Sequence, residues 1–466
     1  MKNCMKKIRI IQILVVSLTI SMFVASSFAD MVMETTSPLT IKNDVSHAKW
    51  TVMMYLACDT GLRTTLIPYY TKILTDIGSD NDLNIVALID GKEKDDTSYY
   101  YVAEKLLVPL PWYESESNMA DPETFERFLS LTMYNYPADH YALFTLSDFG
   151  SGWQGIFCDT TGGGGMKTLS LITIPEVSMV LKNITHDGTN KIDVYGIDVC
   201  IPQTVEVAYQ IAPYVDYMVA NQEHGHEGQI SDEGFLIGWN YSYYLQELKD
   251  NSDMTPEQFA MLITDSYRPG TYTNKIMMII PAPPWYPIVV FYTTLSTINL
   301  SKISLLKQSI NKLASTFIDN LNNIKNDIKT ARSQTREYGK LYRKFWWLPP
   351  TIYYALKLEP LSYDCFIDLY DFVEKLKNET VNQEIKNSCI QVMDALNITI
   401  IANKALATDP SHGLSIYFPE LKCQYDQSIW RYPLNKNFRK IPSPYEDLQF
   451  SQDTSWDEFL KAYLKI

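Results

Sequence analysis

From Trp50 onward, short apolar runs alternate with amphipathic stretches. Trp50–Ala57, Leu83–Asp90, Tyr141–Ser147, Ile192–Asp198 and Asp216–Asn221 are nearly continuous in hydrophobic residues and give way to polar or turn residues. Continuous runs of that length predict strands buried on both faces of a mainly parallel sheet. The stretches between them carry helix start signals. Asp121-Pro122 opens Glu123–Met133, and Thr173-Ile-Pro175-Glu176 reads as a capping box with proline in the first turn. Strand–helix alternation of this kind predicts an α/β layer architecture.

After about residue 245 the pattern changes. Thr255-Pro256-Glu257-Gln258 caps a helix. Ile303–Ala331 places Ile303, Leu306, Ile310, Leu313, Phe317 and Leu321 at three- and four-residue steps, the stripe of a core-facing helix. Phe345-Trp-Trp-Leu-Pro-Pro reads as an apolar loop packed on the main domain, with a ligand-binding aromatic ledge as the alternative. Gly413–Phe418 is strand-like, and Ser455-Trp-Asp-Glu458 caps a closing helix.

The amino end is patterned for export. Residues 2–9 are basic, 10–25 are apolar, and Ser27-Phe28-Ala29 puts small residues where a signal peptidase reads, so cleavage is expected before Asp30. An uncleaved anchor is the alternative. No later segment reads as a membrane span, because Ile276–Tyr292 is broken by four prolines.

Composition narrows the function classes. The 466 residues are 46% hydrophobic and 20% charged, which excludes global disorder. Losing Lys2, Lys6, Lys7 and Arg9 with the leader takes the net charge from −14 to −18. That field repels phosphate backbones and favours cationic peptides, so no nucleic-acid partner is expected, and no membrane contact beyond the export signal. Six cysteines remain at 58, 158, 200, 365, 389 and 423. They are too few for a disulfide scaffold and lack any CxxC spacing, so no metal site is read from them. Thr160-Thr-Gly-Gly-Gly-Gly165 lacks the Lys-Ser/Thr of a phosphate loop and reads as a flexible surface loop.

In an open parallel sheet, ligands bind beyond the carboxyl ends of the strands. Two such ends stand out. One continues from Tyr141 through Ser147-Asp148-Phe149-Gly150 to Gly152-Trp153. The other is Asp193-Val-Tyr-Gly-Ile-Asp198-Val-Cys200, followed by the amphipathic stretch Thr204–Ala212. A thiol at a strand end ahead of a helix is a candidate nucleophile, although most cysteines are small buried residues.

These residues resemble the clostripain family of cysteine peptidases, whose α/β sheet is of the caspase–gingipain type. The likeness rests on Asp198-Val199-Cys200 with Val205-Glu206-Val207-Ala208-Tyr209, on Trp50–Tyr55, and on Tyr214–Ala220. It continues in Asp368–Asp371, Gly413–Pro419 and Trp456–Leu460, so it spans about residues 49–466. Together with the pattern of the leader, it divides the chain into a signal peptide at 1–29, a linker at 30–48, an expected caspase-like peptidase domain at 49–245 and a helix-rich C-terminal subdomain with a closing strand at 246–466. Cys200 matches the nucleophile. Asp198 matches the acid of the primary specificity pocket, where the family selects Arg or Lys, and a carboxylate there suits a guanidinium through paired charged hydrogen bonds. The backbone N–H groups of Gly150 and Cys200 match the oxyanion hole. Some members use calcium, but no EF-hand loop is present and no other cofactor is evident.

One position breaks the pattern. The family's catalytic histidine falls on Phe149, held in register by Asp148 and Gly150. A phenyl ring cannot deprotonate the thiol or protonate the leaving amine, a role worth about 10²–10⁴-fold. His140 lies at the far end of the same strand, roughly 25–30 Å away at 3.3 Å per residue, and is excluded as a substitute. His224 and His226 follow the next strand and are candidate replacement bases; an exposed polar loop is the bland alternative. Three readings follow: a secreted homologue with impaired catalysis that binds Arg- or Lys-containing peptides, an active endopeptidase using His224 or His226, or a non-catalytic surface interaction protein.

Overall fold

The computed structural model describes residues 47–59, 66–147, 150, 152–159, 170–223, 238–273, 290–339, 365–422, 424–425 and 444–466. The readings at residues 1–46, at Asp148, Phe149, His224, His226 and Cys423, in the glycine run and in the Phe345 segment lie outside these residues. Residues 47–466 form one compact unit.

In chain order the strands are Ala48–Ala57 (β1), Leu83–Asp90 (β2), Ser98–Ala103 (β3), Leu106–Leu110 (β4), Ala138–Ser147 (β5), Phe157–Asp159 (β6), Ser170–Ile172 (β7), Ile192–Asp198 (β8) and Val215–Ala220 (β9). They continue with Thr271–Thr273 (β10), Val290–Tyr292 (β11), Leu295–Asn299 (β12), Glu337–Tyr338 (β13), Phe366–Asp368 (β14), Ile400–Lys404 (β15) and Ser415–Tyr417 (β16). One nine-stranded sheet runs β15-β12-β9-β8-β5-β1-β2-β3-β4. Its five central strands are parallel, and the expected α/β architecture is therefore present. The outer pairs are antiparallel: β3 and β4 form a meander at one edge, and β12 and β15 extend the sheet past β9 at the other.

The continuous apolar runs have a direct cause. Alternate residues of β1 serve two cores: Met53, Tyr55 and Ala57 enter one, while Trp50, Val52, Met54 and Leu56 enter the other. Each large side chain so buried contributes about 1.5–3 kcal/mol, so a polar residue at either parity is costly. Helices Pro122–Asn135, Ile174–Ile184, Val205–Ile211 and Ile303–Gln334 cover the first face; Ile67–Ile77, Tyr241–Asp250 and Pro256–Ser266 cover the second. Three of the four caps read from sequence hold, whereas Ser455 precedes the closing helix Trp456–Leu464 without a side-chain cap hydrogen bond. The capping boxes at Thr173/Glu176 and Thr255/Gln258 are formed, and Asp121 accepts the Glu123 N–H. Among the described residues, no helix is long and apolar enough to cross a membrane.

The chain visits β1 and β2 on one side, then β5, β8 and β9 on the other, so the strand order reverses between β1 and β5. The carboxyl edge at such a reversal is where open α/β sheets bind ligands.

Candidate active site

Cys200 lies two residues past the end of β8 at that edge and is partly exposed, whereas Cys58, Cys158, Cys365 and Cys389 are buried. Burial pushes the Cys389 thiol up to about 12, which makes it inert at neutral pH. The helix after Cys200 begins only at Val205, and its first turn is capped by Thr204, whose side chain accepts the Val207 N–H. Four residues therefore separate the thiol from the helix, which occupies the amphipathic stretch read at Thr204–Ala212.

Those residues form a tightly fixed turn. Ile201 has a φ of +59°, a left-handed conformation that disfavours β-branched residues, yet its side chain is fully buried. Its N–H donates to the Glu223 carbonyl at 3.3 Å, and the Gln203 N–H donates to the Asn221 carbonyl at 3.2 Å. The Asn221 side-chain amide donates to the Val199 carbonyl at 2.9 Å and also to that of Glu223. From the other side, the Ser415 N–H and hydroxyl both donate to the Gln203 carbonyl, at 3.0 and 2.8 Å. The closing strand β16 thus braces the cysteine turn.

Glu206, from the same sequence motif, adds a second brace. Its Oε1 accepts the Tyr417 N–H at 3.0 Å and the Tyr445 hydroxyl at 2.9 Å. Burial raises its carboxyl above the ordinary value, against the pull of these donors. Two separate motifs, Val205–Tyr209 and Gly413–Pro419, are thereby joined.

Gly150 is packed against the backbone of Cys200. A Cβ at 150 would stand 2.4 Å from the Cys200 carbonyl oxygen and 2.6 Å from Val199 Cγ2, so only glycine fits. The structure thus brings together the two backbone positions that resemblance assigned to an oxyanion hole. Gly152, at φ +55°, abuts the Phe366 ring, and Trp153 is buried against Tyr417 and Tyr445. The segment after β5 is anchored on the C-terminal sheet β13-β14-β16.

Asp198 ends β8 opposite Leu146 of β5 and is fully buried. Tyr241 donates its hydroxyl to Oδ2 at 2.9 Å. The Tyr241 ring stacks on Trp239 and meets Phe144 edge-on, and the space they fill depends on Gly196, where a Cβ would stand 2.4 Å from Phe144. Nothing local in the sequence singles out Tyr241, because its helix joins the site only through the fold.

The four described histidines lie elsewhere in the fold. His47 pairs with Asp139 and His140 with Asp193, both at the amino edge, as the exclusion of His140 expected. His186 is in the turn after helix Ile174–Ile184. His412 stacks on Tyr370, and Asp368 beside it holds its imidazole above the usual value. Glu223, one residue before His224, is buried: Oε1 accepts the Gly339 N–H at 2.9 Å, and Oε2 pairs with Arg336 at 3.3 Å. Arg336 also pairs with Asp409 at 2.8 Å; burial opposes its charge, but Glu223 and Asp409 together hold the guanidinium above its ordinary range.

A third group at the carboxyl edge escaped sequence reasoning. Asp59 follows β1, Asp90 ends β2 and Asp159 ends β6; all three are at least nine-tenths buried, with carboxylate oxygens within 4.8 Å of one another. Burial, countered by a hydrogen bond from Thr97 and reinforced by Asp159 and Asp59, pushes the Asp90 carboxyl up to about 9.

Residues 54–463 match the sequence profile of the clostripain family. The chain is 22% identical to clostripain from Hathewaya histolytica over 447 residues, 81% of this chain and 76% of that protein. Its fold is similar to that of an inactive zymogen protease from Parabacteroides distasonis, with a TM-score of 0.54 and 15% identity over 88% of this chain and 98% of the other. It is also similar to a secreted cysteine protease from Bacteroides thetaiotaomicron in complex with an irreversible peptide inhibitor, with a TM-score of 0.51 and 17% identity over 80% and 94% of the two chains. With the profile running through nearly every strand and helix of the compact unit, and the motif cysteine at the ligand-binding edge of its sheet, the chain belongs to the clostripain family of cysteine peptidases.

Proposed function

We propose that this protein is a secreted clostripain homologue that binds Arg- or Lys-containing peptide segments through Asp198 and hydrolyses them poorly, because Phe149 stands where the catalytic histidine belongs. The observation that carries this reading is the run Ser147-Asp148-Phe149-Gly150: β5 ends at Ser147, and Gly150 packs on Cys200. Amide hydrolysis at this site needs the thiolate to attack the scissile carbonyl, backbone N–H groups to hold the resulting oxyanion, and a proton for the departing amine. Cys200 and Gly150 supply the first two. A phenyl ring supplies no proton and cannot act as the imidazolium that stabilises a thiolate. Export rests on the basic–apolar–small pattern of residues 1–29.

Basic selectivity is supported by a buried carboxylate at a strand end two residues from the nucleophile, with one oxygen oriented by Tyr241. The test is binding of an arginyl peptide to the purified protein and to Asp198→Asn. Loss of binding in the variant supports the pocket; equal binding overturns it and leaves a non-catalytic interaction surface.

A second reading, an active endopeptidase with His224 or His226 as base, draws on one contact. The Ile201 N–H to Glu223 carbonyl bond starts the segment carrying these histidines beside the cysteine turn. Labelling of Cys200 by an arginyl chloromethyl ketone, compared with the double variant His224→Ala/His226→Ala, decides it: a rate unchanged by the double substitution excludes these bases.

A further inference from the structure

In the nine-stranded sheet β8 lies between β5 and β9, so the peptide joining Val199 to Cys200 has one neighbour on each side. On the β9 side, the Asn221 side-chain amide donates to the Val199 carbonyl at 2.9 Å and also to the Glu223 carbonyl. On the β5 side, Gly150 faces Cys200. A Cβ at 150 would stand 3.0 Å from the Cys200 nitrogen and 2.4 Å from its carbonyl oxygen. In a planar trans peptide the carbonyl and the N–H point in opposite directions. A Val199 carbonyl held toward β9 therefore turns the Cys200 N–H toward β5, the side on which Gly150 lies.

Asn221 is buried, and its orientation is fixed by what it faces. Both amide hydrogens go to carbonyl oxygens, while its own Oδ1 has no hydrogen-bond partner among the described residues. An unmatched buried acceptor is costly. The reversed amide would be worse, because it would set three oxygens against one another. The residue is also locked to the cysteine turn through its backbone: the Asn221 carbonyl accepts the Gln203 N–H at 3.2 Å, and the Glu223 carbonyl accepts that of Ile201 at 3.3 Å. A donor held this firmly sets the tilt of the Val199–Cys200 peptide.

We propose that Asn221 is a positioning residue for acyl transfer at Cys200. By holding the Val199 carbonyl, it aims the Cys200 N–H, alongside that of Gly150, at the oxygen of an attacked carbonyl. The inference rests on the reading of Cys200 as the attacking thiol and deepens it. Hydrogen bonds weaken steeply as they bend, so a tilted peptide loses the oxyanion while leaving the sulfur in place. Asn221 acts through that peptide, and its effect is confined to reactions in which a carbonyl oxygen takes on charge.

Two reactions of the same thiolate separate this role from general support of the turn. With the p-nitrophenyl ester of an acylated arginine, the sulfur bonds to the carbonyl carbon and the carbonyl electron pair moves to oxygen. Collapse of that oxyanion restores the carbonyl and breaks the ester bond, and p-nitrophenolate leaves as an anion. The thiol proton passes to buffer and no acid is required, so the step runs with Phe149 in place. With iodoacetamide, the sulfur bonds to a saturated carbon and iodide leaves; no oxyanion forms.

The experiment measures both rates at Cys200 in the purified full chain, by the nitrophenolate burst and by the mass of the Cys200 peptide. The unmodified protein is compared with Asn221→Leu, which keeps the branched shape without a donor. Asn221→Ser, too short to reach either carbonyl, is the milder change to folding. Acylation should be at least about tenfold slower in both variants, with alkylation within about twofold of the unmodified protein. Equal losses in the two reactions, or undiminished acylation, overturn the positioning role and leave Cys200 as the nucleophile. A burst that persists in Cys200→Ala, or no burst in the unmodified protein, overturns the reading of Cys200 and the inference with it.

Discussion

Tyr241 donates its hydroxyl to Asp198 at 2.9 Å, joining the helix on one face of the sheet to the strand end that precedes Cys200. A hydrogen bond to a charged acceptor contributes about 1.5–3 kcal/mol. Tyr241→Phe removes that donor and keeps the ring stacked on Trp239. The carboxylate proposed for the pocket then loses part of what orients it, and affinity for an arginyl peptide should fall by roughly tenfold, about 1.4 kcal/mol. Isothermal titration of both proteins checks this; an unchanged affinity would show that Asp198 does not depend on Tyr241.

Ile201 offers a test of backbone strain. Replacing a buried isoleucine by alanine costs about 2–5 kcal/mol, and glycine normally costs about 0.5–1 kcal/mol more than alanine. At φ +59° the order should reverse, because the left-handed conformation costs an L-residue about 1–2 kcal/mol and glycine nothing. Urea unfolding should therefore find Ile201→Gly as stable as Ile201→Ala or more so. A glycine variant less stable than alanine by the usual margin would remove the strain.

Glu206 links the helix after the cysteine turn to the closing strand, and its two substitutions should separate shape from charge. Glu206→Gln keeps an oxygen for the Tyr417 N–H and Tyr445 hydroxyl and should cost under about 1 kcal/mol. Glu206→Ala strands both donors and opens a cavity, at about 3 kcal/mol or more. The sign of the pH effect follows from the raised carboxyl. The folded state holds the proton more tightly than the unfolded state, so this contribution is greatest below the unfolded value of 4.5 and is lost as pH rises through the higher folded value. Denaturation from pH 4.5 upward should show a decline in the unmodified protein that Glu206→Gln flattens; parallel curves would contradict it.

Much of this fold was legible from hydrophobic runs. The five central strands, both capping boxes and the core stripe of Ile303–Gln334 follow from local pattern, because a strand buried on two faces has little room for polar residues. The edges were not legible. In β3, Tyr99 and Val102 are buried while their neighbours are half-exposed, and β4 is hardly buried, so neither gives a strong local signal. The β12–β15 pair depends on register between residues about a hundred positions apart. At the site, Cys200, Asp198 and Gly150 were found through motifs. Tyr241 and the Asp59–Asp90–Asp159 cluster were not, since each meets its partners only through sheet order. Each of the three aspartates does close a short apolar run, the one local trace the cluster leaves.

Impaired catalysis is tested most directly by hydrolysis of a fluorogenic arginyl peptide by the purified protein, Cys200→Ala and Phe149→His. The expected result is turnover in the unmodified protein no higher than in Cys200→Ala, and at least about a hundredfold more in Phe149→His. Turnover by the unmodified protein that vanishes in Cys200→Ala would contradict it and return a working proton carrier to the site.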